Sequence, residues 1–439
     1  MTAPPSQPLR KGDLLELEIG ALAFGGAAVG RAPDGRVVFV TGGTPGDRAE
    51  VRIDEVKSSF TRASLVRVLA PGPSRVAPLC PLVGRCGGCQ WQEVAIEAQR
   101  AAKQEIVARA FGRLGTEVAP LVEATPPFGY RSRVRLAVGQ AENRGPPASR
   151  LGFSARRSHD VVDVPACPLL EPALEEALTA VRAVLLPVLL PGATVSALAG
   201  REGVHLALAD LGRARPAARK AATELLGQAR ILGVLVEDEA VGAGTIDTAA
   251  GDEPPFFGAA DGFAQASAAG NRVLRRLVSE AVAALVPPGG RLLELHAGDG
   301  NFTRDLVAHG EVLAVEGVAR AAERLGHNVP GARAVCAPVE EEVARLVAAG
   351  ARFDAVLLDP PRAGAREILS GLARLTECVV YVSCDPMTLG RDAAELAALG
   401  LVPRRAVPVD LMPQTYHVET VCSFSTAGAY GKRTTNRAP

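Results

Sequence analysis

Three short apolar runs in the C-terminal third end in, or carry, residues able to make and break covalent bonds. Val379-Val380-Tyr381-Val382-Ser383 leads into Cys384-Asp385-Pro386. Its β-branched and aromatic residues predict a buried strand, and a residue before proline resists helical torsion, so the strand stops with Cys384 at its tip. Upstream, Phe353-Asp354-Ala355-Val356-Leu357-Leu358 runs into Asp359-Pro360-Pro361-Arg362. Downstream, His417-Val418-Glu419-Thr420-Val421 predicts a third strand with a carboxylate inside it. In an open α/β sheet, ligands and chemistry collect at the carboxyl ends of strands. A thiolate is a nucleophile for covalent catalysis, and carboxylates supply acid and base. A lone thiol in such a run reads more simply as packing. Two acids expected in the same parallel sheet are what turn the reading toward a reaction site.

A ligand-binding layout precedes these runs. Arg291–Leu295 predicts a strand, His296-Ala297-Gly298-Asp299-Gly300-Asn301 a glycine-rich turn, and Phe302 onward a helix. Glu311–Val315 predicts a second strand, closed by Glu316. Glycines let the backbone approach a ligand, and an acid ending the second strand takes ribose hydroxyls. The turn is shorter than a dinucleotide fingerprint and lacks a third, helix-borne glycine, which favours S-adenosylmethionine over NAD.

A second kind of chemistry lies nearer the N-terminus. Cys80, Cys86 and Cys89 fall within ten residues, with Gly87-Gly88 between the last two, and Cys167 is a candidate fourth ligand. Four thiolates suit zinc or an iron–sulfur cluster, and spacing does not choose between them. The 12 residues at the N-terminus show no export signal, which predicts a cytoplasmic protein whose eight cysteines stay reduced.

The elements that must position these groups are legible in outline. At 48% apolar and 22% charged residues the chain is globular, and 439 residues allow two or three domains. Leu15, Leu17 and Ile19 alternate with Glu16 and Glu18, and further short strands follow to Val68, which predicts a small closed barrel. Helical periodicity covers Val94–Leu114. Ala183–Gly200 carries no charge but contains Pro187, Pro191 and Gly192, so it predicts a kinked core helix followed by a strand, not a membrane span. The 48 basic and 48 acidic residues balance globally, yet residues 131–157 hold seven arginines (131, 133, 135, 144, 150, 156, 157) against Glu142. On a strand, Arg131, Arg133 and Arg135 share one face, spaced to meet phosphates. Residues 140–149 predict a loop.

Taken together these stretches resemble the bacterial RNA uracil-5 methyltransferases, which make 5-methyluridine. The resemblance runs from residue 8 to about 424. It is carried by Cys80–Cys89, Phe263-Ala264-Gln265, the glycine turn, Leu357–Ala365, Tyr381–Pro386 and Asp410–Val421. Gly25–Arg31 with Val40–Gly46 resembles the TRAM domain, an OB-like RNA-binding barrel. The implied architecture is multidomain: a TRAM barrel (8–68), an α+β central domain with the cysteine set and RNA contacts (69–255), an α/β Rossmann-like methyltransferase domain (256–427) and a tail (428–439). The resemblance implies Cys384 as nucleophile toward uracil carbon 6 and Glu419 as the base that removes the carbon-5 proton. It implies Gln265, His296, Asn301, Glu316 and Asp359 at the cofactor, and Cys80, Cys86, Cys89 and Cys167 on a [4Fe–4S] cluster. The implied partner is 23S ribosomal RNA, with transfer RNA as the alternative, and a monomer with no membrane association.

This chain departs from the family pattern in places. Asp385 stands for asparagine after the nucleophile, where a carboxylate raises the thiol pKa unless it is paired. Ser267 replaces an asparagine, His296-Ala297 an aromatic–cysteine pair, and Pro338 sits near an adenine-binding position. Two rivals remain. An amino-group methyltransferase would use Asp359-Pro360-Pro361 followed by an aromatic, but Arg362 follows. A non-catalytic RNA-binding or iron–sulfur sensor protein would keep the barrel, arginines and cysteine set but lack the nucleophile or the base.

Overall fold

The computed structural model describes residues 9–140, 149–156 and 158–429. Most of the loop expected over 140–149, Arg144, Arg157 and most of the 428–439 tail lie outside these residues. The chain divides into two compact units. The first comprises Met1–Ile106, Phe153–Val162 and Met412–His417, the second Val107–Gly152, Asp163–Leu411 and Val418–Pro439.

In the first unit, β1 (Leu14–Leu22), β2 (Ala28–Arg31), β3 (Val37–Thr41), β4 (Arg48–Val56) and β5 (Phe60–Ala70) close a barrel in the order β1-β2-β3-β5-β4. The predicted alternation holds: Leu17 and Ile19 are buried while Glu16 and Glu18 are exposed. Closure leaves no free sheet edge. One polar knot ties the turn after β3 to the segment leaving β5. The fully buried Asp47 accepts hydrogen bonds from Thr44 N (2.9 Å), Gly72 N (2.9 Å) and Arg75 Nη2 (2.6 Å). Gly72 is required there, because a Cβ would lie 2.3 Å from the Gly46 carbonyl carbon.

The second unit holds two sheets. In the first, β6 (Arg133–Gln140), β7 (Ser149–Ser154), β8 (Thr194–Ala199), β9 (Val204–Ala209), β10 (Ile231–Val236) and β11 (Glu239–Gly242) run in the order β7-β6-β8-β9-β10-β11. Helix α1 (Ile96–Phe111), inside the stretch predicted, belongs to the first unit as far as Ile106; in the second, α2 (Pro172–Val184) packs on β8 and α3 (Arg215–Leu225) on β10. The uncharged run thus begins where α2 ends and holds no kinked helix. Pro187 and Pro191 lack the N–H groups a helix needs, so the chain turns and enters β8. Among the described residues no helix is long and apolar enough to cross a membrane.

The other sheet carries the chemistry. Strands β12 (Gly290–Leu295), β13 (Gly310–Glu316), β14 (Arg333–Cys336), β15 (Ala355–Leu358), β16 (Cys378–Ser383), β17 (Val402–Asp410) and β18 (Glu419–Ser425) are ordered β14-β13-β12-β15-β16-β18-β17. Both faces are covered, which is why the strands read as unbroken apolar runs. Val380 and Val382 join a core with Leu274, Val278 and Val282 of helix α4 (Ala268–Leu285). Val379 and Tyr381 face the opposite core, with Leu372, Leu389 and Leu396. The first five strands are parallel, but β18 is antiparallel to β16. The expectation of three parallel strands is corrected there.

Burial alone would raise the Asp47 pKa; Arg75 and the Gly72 and Thr44 N–H groups outweigh it and hold the carboxyl below its ordinary value. Its contribution to stability is therefore present above the unfolded pKa and is lost as pH falls through the lowered folded value. Asp47→Ala is predicted to leave Arg75 with Glu93 as its remaining carboxylate partner and to cost about 3 kcal/mol, read as a lowered urea midpoint of the barrel transition; an unchanged midpoint would refute this role.

Candidate active site

The antiparallel return explains how Cys384 and Glu419 reach one sheet edge. Ser383 pairs with Thr420, so the residue after the end of β16 and the first residue of β18 lie side by side. Had β18 run parallel, its N-terminal residue would sit at the other end of the sheet. Glu419 is buried, and Cys384 is half-buried. Burial, the Glu419 carboxylate and Asp359 push the Cys384 thiol up to about 11, while Arg362, which hydrogen-bonds the thiol, pulls it down. Asp359 follows β15 on the neighbouring strand, and burial pushes its own carboxyl up to about 7.

Asp385 does not join the groups that raise the thiol. It caps helix α9 (Pro386–Ala398), with Oδ1 accepting from Met387 N and Thr388 N, both at 3.0 Å. Two donors and the positive end of the helix dipole take up its charge. The substitution that is adverse on sequence grounds thereby serves as a cap.

A cleft opens over the glycine turn, lined by Gln265, His296, Gly298, Asn301 and Asp359 among others. Asp359 belongs to both the cleft and the surroundings of Cys384. Gly298 (φ 58°) and Gly300 (φ 96°) take torsions that favour glycine, and a Cβ on Gly300 would press on Val329 at 3.0 Å. His296 also has a positive φ, 60°; burial keeps its imidazole pKa low. Glu316 reaches the turn from the end of β13: its Oε2 accepts from Gly298 N (2.8 Å) and its Oε1 from Val318 N (2.7 Å). Each oxygen keeps a second lone pair for a ligand hydroxyl. These features fit S-adenosylmethionine: an open glycine turn for its amino-acid end and a carboxylate for its ribose.

Several contributors escape sequence reasoning. In the sequence, Arg362 signals only the missing aromatic of a rival motif. Asn271 exchanges two amide hydrogen bonds with Asn301, 2.7 and 3.0 Å, and so fixes its rotamer. Ser267, which replaces an asparagine, caps α4 through Gly270 N at 3.1 Å. Glu294, wholly buried in β12, gives and takes no charge easily: burial pushes its pKa up to about 8, and the Thr303 hydroxyl donates to it at 2.6 Å. Pro338 precedes α7 (Val339–Ala348) and has no N–H to offer a purine.

The arginine strand keeps its predicted alternation, with Arg131, Arg133 and Arg135 opposite buried Ser132, Val134 and Leu136. The three are not equivalent. Arg133 donates to Gly262 O at 2.7 Å and is half-buried, whereas Arg135 is exposed. In the first unit, Cys80, Cys86 and Cys89 are part-exposed. Cys86 Sγ accepts from Gly88 N at 3.4 Å, and Cys89 Sγ from Gln92 Nε2 at 3.2 Å. N–H donors at sulfur suit thiolate ligands. Among the described residues no three His, Cys, Asp or Glu side chains are close enough to hold a single metal ion. The same loop is stitched to the segment Met412–His417: Gln414 O accepts from Gln90 N and Trp91 N, and Gln414 and Gln99 exchange bonds of 2.8 and 3.0 Å.

Comparison with known proteins bears on the family and the fold. Residues 8–66 match the TRAM domain model, and 341–426 match that of tRNA (Uracil-5-)-methyltransferase. The chain is 35% identical to a protein of Pectobacterium carotovorum named 23S rRNA (uracil(1939)-C(5))-methyltransferase RlmD, with 89% of each chain covered. The like-named protein of Halomonas elongata is 35% identical, covering 92% of this chain and 88% of that one. Among solved structures, the Pyrococcus abyssi tRNA (uracil-54, C5)-methyltransferase in complex with S-adenosyl-L-homocysteine aligns with a TM-score of 0.69 at 21% identity, covering 93% of this chain and all of that one. At that identity the likeness speaks to the fold.

An acid whose folded pKa is raised adds no penalty below its unfolded pKa of 3.8 and its full penalty above about 7. Asp359→Asn is therefore predicted to unfold at higher urea than the parent at pH 8, by on the order of 1–2 kcal/mol after allowance for its solvent-facing side. The difference should shrink as pH falls and be lost by about pH 3, below the unfolded pKa. A constant difference across that range would show that Asp359 is not the titrating group.

Proposed function

The chain belongs to the RNA uracil-C5 methyltransferase family, and from that premise we propose that Cys384 and Glu419 methylate carbon 5 of a uridine in 23S ribosomal RNA through a covalent enzyme–uracil adduct. The observation that carries the reading is the pairing of β16 with β18, which sets a thiol and a carboxylate side by side next to the cofactor cleft.

Bound S-adenosylmethionine supplies an electrophilic methyl group. The work of the chain's own residues is to make carbon 5 nucleophilic and then to release the product. Cys384, held by Arg362, adds as thiolate to carbon 6, and the ring electrons move toward carbon 5 and oxygen 4. Carbon 5 takes the methyl group. Glu419 removes the carbon-5 proton, the double bond re-forms and the thiolate leaves. Asp359, between cleft and thiol, holds the uracil edge; near pH 7 it is poised to donate or accept. Gln265, His296, Asn301 and Glu316 orient the cofactor.

The substrate is RNA, engaged by the TRAM barrel and by Arg131 and Arg135, with Arg133 tethered inside the fold. Ribosomal RNA is favoured over transfer RNA by the names of the relatives at 35% identity, which cover most of this chain. Cys80, Cys86 and Cys89, with Cys167, are proposed to ligate a [4Fe–4S] cluster that orders the loop around residues 80–92. A cluster is wider than one ion, so its thiolates need not converge as single-metal ligands do. The protein is proposed to act as a cytoplasmic monomer, with residues 8–68, 69–255 and 256–427 as its barrel, cluster and methyltransferase portions.

Two experiments follow. Glu419→Gln should complete addition and methylation and then stall, leaving a denaturant-resistant adduct that carries the cofactor's labelled methyl with 23S RNA fragments and none with transfer RNA. Cys384→Ala should form no adduct, alone or in the double variant, and lose activity at least about 10³-fold, the scale of removing a covalent nucleophile. Normal turnover by Glu419→Gln, or an adduct without Cys384, would overturn the roles. Protein purified without oxygen should be brown with about four irons per chain; a colourless protein with one zinc would exclude the cluster.

A further inference from the structure

Asp392 takes no part in the chemistry above, yet it is fully buried and makes an unusual number of bonds. Its Oδ2 accepts from the Tyr381 hydroxyl (2.8 Å) and from Ala365 N (2.9 Å). Its Oδ1 accepts from Arg391 Nε (2.9 Å) and Nη2 (2.7 Å), and Arg391 Nη2 also donates to Ala363 O at 2.9 Å. Between those two anchor points lies Gly364, φ 88°, where an added Cβ would sit 2.4 Å from Asp392 Oδ2. One carboxylate on α9 therefore fastens residues 363, 364 and 365 and, through Tyr381, the strand that ends at Cys384.

The other end of that loop is equally fixed. Asp359 leaves β15, and Pro360 and Pro361 restrict the next two φ angles. Arg362 stands between the prolines and the Asp392 anchor, so its Cα has little freedom. A long exposed arginine would otherwise sample many rotamers and spend little time on a sulfur. We propose that Asp392 is a positioning residue which, by stapling residues 363–365, presents the Arg362 guanidinium to the Cys384 thiol. Resting on the reading of Cys384 as nucleophile for its consequence, the proposal itself concerns only how Arg362 is held.

The test is the pH profile of Cys384 alkylation by iodoacetamide in the full-length protein, followed on the Cys384 peptide by mass spectrometry. Thiolate, not thiol, is labelled. In Asp392→Asn the Arg391 pair and one backbone anchor weaken, Arg362 leaves the sulfur more often, and the profile moves to higher pH. A midpoint higher by about one on the pH scale makes the reaction at pH 8 about tenfold slower. Arg362→Gln should move the midpoint by as much, and the double variant no further, since both act through one contact. Should Asp392→Asn fail to fold, Arg391→Gln, a half-exposed change that releases the Ala363 carbonyl, is expected to move the profile in the same direction by a smaller amount. A profile unchanged in the folded variant, or additive displacements in the double variant, would overturn the proposal. Methylation persisting in Cys384→Ala would instead sink the nucleophile assignment and leave the alkylation result standing.

Discussion

A thiol proposed to react as a thiolate stands between two carboxylates, and most of the architecture around it answers that difficulty. In the proposed reaction Glu419 and Asp359 act beside the substrate, yet both oppose a thiolate on Cys384. Arg362 is the group acting in the other direction, and it comes from the loop that also carries Asp359. Charge balance at the sheet edge is therefore settled by the conformation of six residues, 359–364. Two prolines and a glycine with φ 88° leave that loop few alternatives. Asp385 could have added a third opposing charge. Its capping of α9 removes it from the thiol's surroundings while starting the helix that carries Asp392.

Precision at the strand tips rests on the sheet beneath them. Residues 378–382 are at most 1% exposed, and each apolar side chain there contributes about 1.5–3 kcal/mol by leaving water. With α4 on one face and α8 (Leu369–Leu375) and α9 on the other, a one-residue slip of β16 or β18 would exchange the faces of every side chain. The register that joins Ser383 to Thr420 is thereby fixed by burial on both sides, and the Cys384–Glu419 pairing inherits that certainty.

Much of this is legible in the sequence because the signals are local. Apolar runs ending in Asp-Pro or Cys-Asp-Pro mark strand ends, glycines mark the cofactor turn, and alternation from Leu15 to Ile19 marks a barrel wall. What cannot be read is non-local. The antiparallel sense of β18 depends on the path of residues 402–418, which no periodicity reports. Asn271 and Asn301 are 30 residues apart, and neither has a partner until helix α4 packs on the sheet. Arg362 fails the pattern of one motif, although the sulfur that gives it a purpose lies on the next strand. Cys80–Cys89 shows the opposite case: its spacing is eloquent in sequence, while among the described residues the folded chain alone does not draw three such side chains into one metal site.

The cofactor cleft adds a last consequence of crowding acids in a dry site. Asp359 is pushed up to about 7 and Glu294 to about 8, so at neutral pH much of this pair is protonated. That protonation spares the empty site the repulsion of Glu294, Asp359 and Glu316, which burial would otherwise magnify. A bound sulfonium is a cation in the same low-dielectric space, and it favours the ionised form of whichever acid it faces. Proton release and cofactor binding are then linked by necessity: whatever lowers the Asp359 pKa on binding must also make binding tighter as pH rises through about 7. The fold keeps these two acids near their midpoints at neutral pH, so a cation beside them shifts the balance toward the charged form. In the proposed reaction that shift supplies the Asp359 carboxylate beside the uracil edge as the methyl donor binds.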